Sequence, residues 1–126
     1  MDLEYENELW SQLGEKCLSY GTCPMVCPTC CCYAVFDQLN LDAESGQRKR
    51  RWDSCLFSDY ALVAGGHIFC SEHSSRVKNR YFHKQRGFAS KYGRSSCVGC
   101  GRCKAYCPAG VDILEVVQKL RSETCA

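Results

Sequence analysis

Apolar positions recur at helical spacing near the start of the chain. Leu3, Leu9, Trp10, Leu13 and Cys17 share one side of a helix drawn over residues 3–17, which predicts an amphipathic helix there. It would deliver Cys17 to a loop opened by Gly21. The period then changes. Tyr33, Val35, Leu39 and Leu41 keep to one side of an alternating stretch, residues 33–41, which reads as a strand. Asp42 to Gln47 is turn chemistry and Arg48 to Trp52 returns as a partner, so a β-hairpin is expected. Ala64-Gly65-Gly66-His67 marks a tight turn or a close backbone approach. Ser71 is a plausible N-cap for a helix to about Lys84, with Val77 and Tyr81 facing inward at i, i+4. Residues 85–96 are Gly, Ser and basic, and read as a connecting loop. A last helix over residues 111–121 opens at Asp112 and carries Ile113, Leu114, Val117 and Leu120 as its apolar stripe. The pattern as a whole predicts a mainly α domain with one small hairpin.

Composition narrows the class. The 126 residues suit a single domain, 1–126, and contain no apolar run long enough to span a bilayer. Thirteen residues are cysteine, more than a small core needs, so bound metal is expected to supply folding free energy and the apo-protein to fold poorly. The N-terminus has neither a basic nor an apolar leader region, so secretion is not indicated. A cytoplasmic chain with reduced thiols is the expectation. The net charge of +2 dictates no partner, but it is unevenly spread. Asp2, Glu4, Glu6, Glu8 and Glu15 crowd the first residues, whereas Arg76, Lys78, Arg80, Lys84, Arg86, Lys91 and Arg94 follow one another without an acidic residue between them.

The most specific motif is Cys97-Val-Gly-Cys100-Gly-Arg-Cys103-Lys-Ala-Tyr-Cys107-Pro108. Its spacing, C-x2-C-x2-C-x3-C-P, is that of bacterial ferredoxins, in which three thiolates hold one cluster and the fourth ligates the other. Zinc sites usually take two close cysteines and draw the second pair from farther away. A disulfide framework belongs to secreted chains and pairs an even number of cysteines. Both fit less well. Aligned on its Cys-Pro end, an earlier group repeats the motif: Cys27 matches Cys107, Cys23 matches Cys103 and Cys17 matches Cys97, while Tyr20 stands opposite Cys100. Two of the three prolines, Pro28 and Pro108, close the two groups. The organisation is thus a first motif at 17–32, an insertion at 33–96, a second motif at 97–108 and a C-terminal helix.

With these residues laid out, the chain resembles the ferredoxin-like portion of iron–sulfur subunits of two related complexes. These are the A subunit of anaerobic sulfite reductase and the beta subunit of sulfhydrogenase-type nickel–iron hydrogenases. The resemblance spans nearly the whole chain and includes Cys27-Pro-Thr-Cys30-Cys31-Cys32, Arg51-Trp-Asp-Ser-Cys55, Ala64-Gly-Gly-His67 with Phe69, and Tyr81-Phe-His-Lys84. Such subunits are usually longer, so the chain looks like their dicluster module alone. The resemblance implies a helical ferredoxin-type domain with two iron–sulfur clusters. One, a 4Fe-4S cluster, would be held by Cys97, Cys100, Cys103 and Cys27. The other would be held by Cys17, Cys23 and Cys107, with Tyr20 where a fourth thiolate is expected. That second cluster is then 3Fe-4S, or 4Fe-4S completed by Cys30, Cys31, Cys32, Cys55 or Cys70, by Tyr20, or by solvent. The implied function is relay of single electrons between a flavin- or nucleotide-oxidising partner and a catalytic hydrogenase- or reductase-type subunit.

The remaining features have plainer readings. Cys30, Cys32 and Cys55 could bind metal, tune a cluster or simply pack, as free cysteine commonly does. Cys70 stands where the resemblance leads one to expect a basic residue, and Cys125 reads as an exposed bystander. His67 is a structural loop residue on this reading, and His73 and His83 face solvent. Phosphate-binding glycine loops are absent, so nucleotide or flavin binding is not expected in this chain, and no catalytic nucleophile is suggested. The basic segment 76–94 is either a solvated helix face or a docking surface for an acidic redox partner. Its aromatics, Tyr81, Phe82, Phe88 and Tyr92, suit core packing better than nucleic-acid stacking. Two other classes stay open: a module whose metal only staples the fold, and a reductase subunit using exposed thiols or an open iron.

Overall fold

The structure, a computed structural model, describes residues 5–124. It contains α1 (Leu9–Lys16), α2 (Thr22–Met25), strands β1 (Tyr33–Leu39) and β2 (Gly46–Trp52), α3 (His73–Phe82), a π-helical turn (His83–Gly87), α4 (Phe88–Tyr92), α5 (Arg102–Ala105) and α6 (Ile113–Thr124). Among the described residues no helix is long and apolar enough to cross a membrane.

The core is where α1, α3 and α6 meet. Leu9, Trp10 and Leu13 from α1, Val77 and Tyr81 from α3, and Ile113, Val116 and Leu120 from α6 are all buried, and Cys55 and Leu56 from the loop after β2 complete the cluster. Trp10 lies 5.8 Å from the Tyr81 ring and 5.6 Å from Phe82, so the aromatics interlock as tilted pairs. Val77 and Tyr81 point inward as their spacing predicts. The helix at the N-terminus is shorter than expected: it begins at Leu9, after turns through residues 5–8, and Leu3 lies outside the described residues. In α6 the stripe differs by one residue. Val116 is buried and Leu114 is 62% exposed, because Asp112 sets the helix start and rotates Leu114 outward. The Asp112 carboxylate accepts from the Leu114 backbone N–H at 2.9 Å and from Lys104 Nζ at 2.6 Å, capping the helix and tying it to α5.

The larger correction concerns residues 85–96. Residues 85–92 are helical, and only 93–96 form a connecting loop. α3 runs through the π-helical turn into α4, and Gly93, at φ 68°, ends the helical stretch. Gly87 does not break it, since its backbone is ordinary right-handed helix (φ −60°, ψ −41°). Nor is Ser71 the cap. The residue before α3 is Glu72, and no side chain caps that end.

The hairpin forms as expected, with Tyr33 opposite Trp52 and Leu39 opposite Gly46. Asp37 and Arg48 form a two-pronged ion pair across it at 2.7 and 2.9 Å. Its apolar side chains are not buried, however: Tyr33, Val35, Leu39 and Trp52 are all more than half exposed. The hairpin projects from the helices and is anchored where the Asp53 N–H donates to the Cys32 carbonyl at 3.1 Å.

Candidate metal centres

The sequence repeat is also a backbone repeat. Gly21 and Gly101 are both left-handed, at φ 69° and 72°, and each immediately precedes a one-turn helix, α2 or α5. Two positions earlier, Ser19 and Gly99 are again both left-handed, at φ 54° and 66°. A serine rarely adopts that conformation. Its presence here shows that the loop geometry is retained where the residue type is not. α2 packs on α5, which carries Cys23 and Cys27 towards Cys103 and Cys107 from opposite ends of the chain.

Two neighbouring sites result. Cys27, Cys97, Cys100 and Cys103 line a cavity of about 120 Å³ together with Arg80 and Lys84. Cys17, Cys23 and Cys107 line a second recess beside Tyr20 and Ser19. The same three thiols, with Cys103, also border a small space closed by Leu56, Val77 and Tyr81. The predicted ligand residues are therefore brought together in the two predicted groups. None of Cys30, Cys31, Cys32, Cys55 or Cys70 lines the recess that holds Tyr20. Cys30, Cys31, Cys32 and Cys55 instead border a separate cavity. Cys125 lies outside the described residues.

Several observations fit iron–sulfur clusters to these sites. The donors are thiols, the preferred ligands of such clusters. Gly99 and Gly101 line the larger cavity, and a Cβ on either would meet no atom within 4 Å. Both face open space that a side chain would fill. Ser19 Oγ is buried without a partner at the edge of the Tyr20 recess, a donor available to an acceptor bound there. Among the described residues no three His, Cys, Asp or Glu side chains close on one point. A tetrahedral zinc with bonds of about 2.3 Å would draw its sulfurs to about 3.8 Å of one another. The thiols here stand around volumes.

The electrostatics are those of anionic sites enclosed by protein. Arg80 is 8% exposed and lines the larger cavity. Burial opposes its charge, but Cys23, Tyr81 and Cys103 more than offset that and hold its pKa above the usual arginine value. Its Nε has no partner. Lys84, also buried, donates to Thr29 Oγ1 and to Cys30 Sγ, the latter at 3.4 Å. Thr29 in turn donates to the Ser96 carbonyl at 2.6 Å, which fixes the turn after Cys27. Burial works against the Cys27 thiolate, yet hydrogen bonds from Thr29 and Lys84 bring its pKa down to about 6. Cys23 is pushed up to about 11, chiefly by burial. The Val111 N–H donates to Cys107 Sγ at 3.3 Å, a bond that stabilises negative charge on that sulfur.

Arg76, Arg80 and Lys84 were unforeseen in these positions. They lie four residues apart on the continuous helical stretch, and all three are buried. The basic segment is thus no uniformly solvated face. Spacing alone could have raised the possibility, because i, i+4, i+8 puts three cations on one stripe. His73 and His83 are exposed, as expected, and His67 is exposed as well, packed edge-on against Phe69. Tyr92 is also exposed, so core packing does not account for every aromatic of the segment.

Paired cysteine loops of this geometry define an iron–sulfur domain. The family model described as a 4Fe-4S dicluster domain matches residues 16–111, and the chain belongs to that family. Sulfhydrogenase 2 subunit beta of Pyrococcus furiosus is 40% identical over 121 residues, covering 96% of this chain and 35% of that protein. The chain thus spans about a third of the length of that relative. No solved structure matches it.

Proposed function

We propose that the chain is an electron-transfer module with the helical ferredoxin fold. One 4Fe-4S cluster sits on Cys97, Cys100, Cys103 and Cys27, and a second cluster on Cys17, Cys23 and Cys107. The observation that carries the reading is the crossed arrangement: each cysteine group contributes one thiol, Cys27 or Cys107, to the cavity of the other. When bound, such clusters accept and release electrons singly. The protein's part is to hold the sulfurs, exclude water with Leu56, Val77 and Tyr81, and balance charge with Arg80 and Lys84. Cys103 and Arg80 border the spaces on both sides, so the two sites are neighbours. That proximity suits rapid exchange between them.

The second cluster is a 3Fe-4S cluster on this reading, because Tyr20 holds the fourth position and none of the additional cysteines lines its recess. The relative's name, a sulfhydrogenase subunit, supports a place in a larger redox assembly. There the module would link a flavin- or nucleotide-oxidising subunit to a catalytic hydrogenase- or reductase-type subunit. Anaerobic purification of the native complex tests this directly. Iron, acid-labile sulfide and co-purifying redox subunits are expected. A colourless protein containing zinc and no sulfide would overturn it in favour of a structural metal module.

A further inference from the structure

A further cysteine-lined cavity belongs to neither of these sites. It measures about 170 Å³ and is bordered by Cys30, Cys32, Cys55 and Tyr60, with Arg80 and Lys84 on one wall. The same two cations line the cavity of Cys27, Cys97, Cys100 and Cys103, so the two spaces are neighbours across a basic partition. Exposed Cys31, Tyr33 and His83 form its rim, so the cavity opens to solvent.

The backbone accounts for the grouping. Residues 30–32 leave the turn at Cys27–Cys30 and run into β1. Successive side chains of such a segment point to opposite sides. Cys30 and Cys32 are accordingly half-buried, and Cys31, which reaches the cavity edge, is exposed. The bond from the Asp53 N–H to the Cys32 carbonyl brings the loop after β2 against this segment and places Cys55, 5% exposed, at the wall. Lys84 Nζ lies 3.4 Å from Cys30 Sγ, the countercharge a thiolate-ligated cluster needs. Cys70 is close enough to act on Tyr60 electrostatically, alongside Cys32 and Cys55. Among the described residues no three His, Cys, Asp or Glu side chains are placed to hold a single ion.

We propose that Cys30, Cys32 and Cys55 hold a third iron–sulfur cluster, with Cys31 or Cys70 at its fourth corner. This rests on the iron–sulfur reading of the chain and extends the relay beyond two centres. It would stand on the hairpin side of the Arg80–Lys84 partition and give electrons a third stopping point.

The test is anaerobic reconstitution of the full chain with ferrous iron and sulfide, followed by metal and sulfide analysis and electron paramagnetic resonance of the reduced protein. Cys32→Ala and Cys55→Ala should each lose about four iron and four sulfide relative to the parent and one set of resonances, with the others retained. Cys32 is half-exposed, so its variant remains informative should Cys55→Ala fail to fold. Variants that keep the parent's iron count and spectrum, or a parent that takes zinc in this cavity, would overturn the third cluster while leaving the dicluster reading intact. A parent without iron or sulfide would sink both. Of Cys31→Ala and Cys70→Ala, the one that loses about one iron identifies the fourth corner. If neither changes, the assignment of that corner is wrong.

Discussion

Replacing Gly14 with alanine probes the joint that sets Cys17. Gly14 lies in α1, three residues before Cys17, and a Cβ there would come within 2.7 Å of Ser74 N, 2.8 Å of its Cα and 3.0 Å of its Cβ. The first two are backbone atoms of α3 and cannot rotate away. Overpacking costs about 1–3 kcal/mol, and a backbone clash belongs at the upper end. Alanine recovers about 1 kcal/mol of helix propensity, leaving a net loss of about 2 kcal/mol. In a domain of this size that lowers the unfolding midpoint by about 8 °C. Gly87→Ala is the matched control. Its backbone is helical, and the nearest side-chain atom, His83 Cδ2, is 3.6 Å from the new Cβ. Only the propensity gain remains, which should raise the midpoint by about 4 °C. The assay is loss of visible cluster absorbance on anaerobic heating at one fixed scan rate, because unfolding with cluster loss is irreversible. Gly14→Ala should also weaken the Cys17 cluster first, as α1 is pushed off α3. A midpoint for Gly14→Ala at or above the parent's, or a lowered one for Gly87→Ala, would refute the packing argument.

Tyr20→Cys should add about one iron per chain and abolish the resonance of an oxidised three-iron cluster; an unchanged iron count and spectrum would mean the corner is already filled. Arg80→Leu removes a buried cation from the cavity walls. At about 7 Å and an effective dielectric of about 20, that charge stabilises an added electron by about 2 kcal/mol, so midpoint potentials measured by anaerobic titration should fall, whereas a purely structural arginine would leave them in place. Asp112→Ala should cost about 1 kcal/mol through loss of the α6 cap. The Lys104 ammonium, then the Leu114 N–H, hold the Asp112 carboxyl below the usual aspartate range. Its contribution is therefore complete above the unfolded pKa of about 3.9 and disappears as pH falls through the folded value. The gap between parent and variant in acid-induced bleaching should narrow over that interval and stay constant from pH 5 upward.

The cysteine groups were legible because cluster ligation imposes fixed spacing, and the repeat showed even through the exchange of Cys100 for Tyr20. Val77 and Tyr81 were legible for a related reason: a helix buried on one face must keep its period. The π-helical continuation was not. Residues 85–96 are rich in glycine, serine and basic residues, and local propensity cannot register that Lys84 and Arg80 are drawn inward by thiols distant in sequence. The same limit applies to Cys30, Cys32 and Cys55. Their spacing follows no familiar motif, and it is the hairpin pairing of Tyr33 with Trp52, continued by the bond between Asp53 and Cys32, that brings the two segments together. Leu114 shows the finer case, since one capping carboxylate decided which side of α6 faces the core.

The crossed ligands have a consequence for biosynthesis. Cys27 emerges from the ribosome about 70 residues before its partners at Cys97–Cys103, and Cys17 and Cys23 must likewise wait for Cys107. On the proposed ligand assignment, neither inorganic core could be fully enclosed before the second motif has emerged. Metal delivery would then await that motif, and a product truncated before Cys107 would leave its early thiols exposed to oxidation.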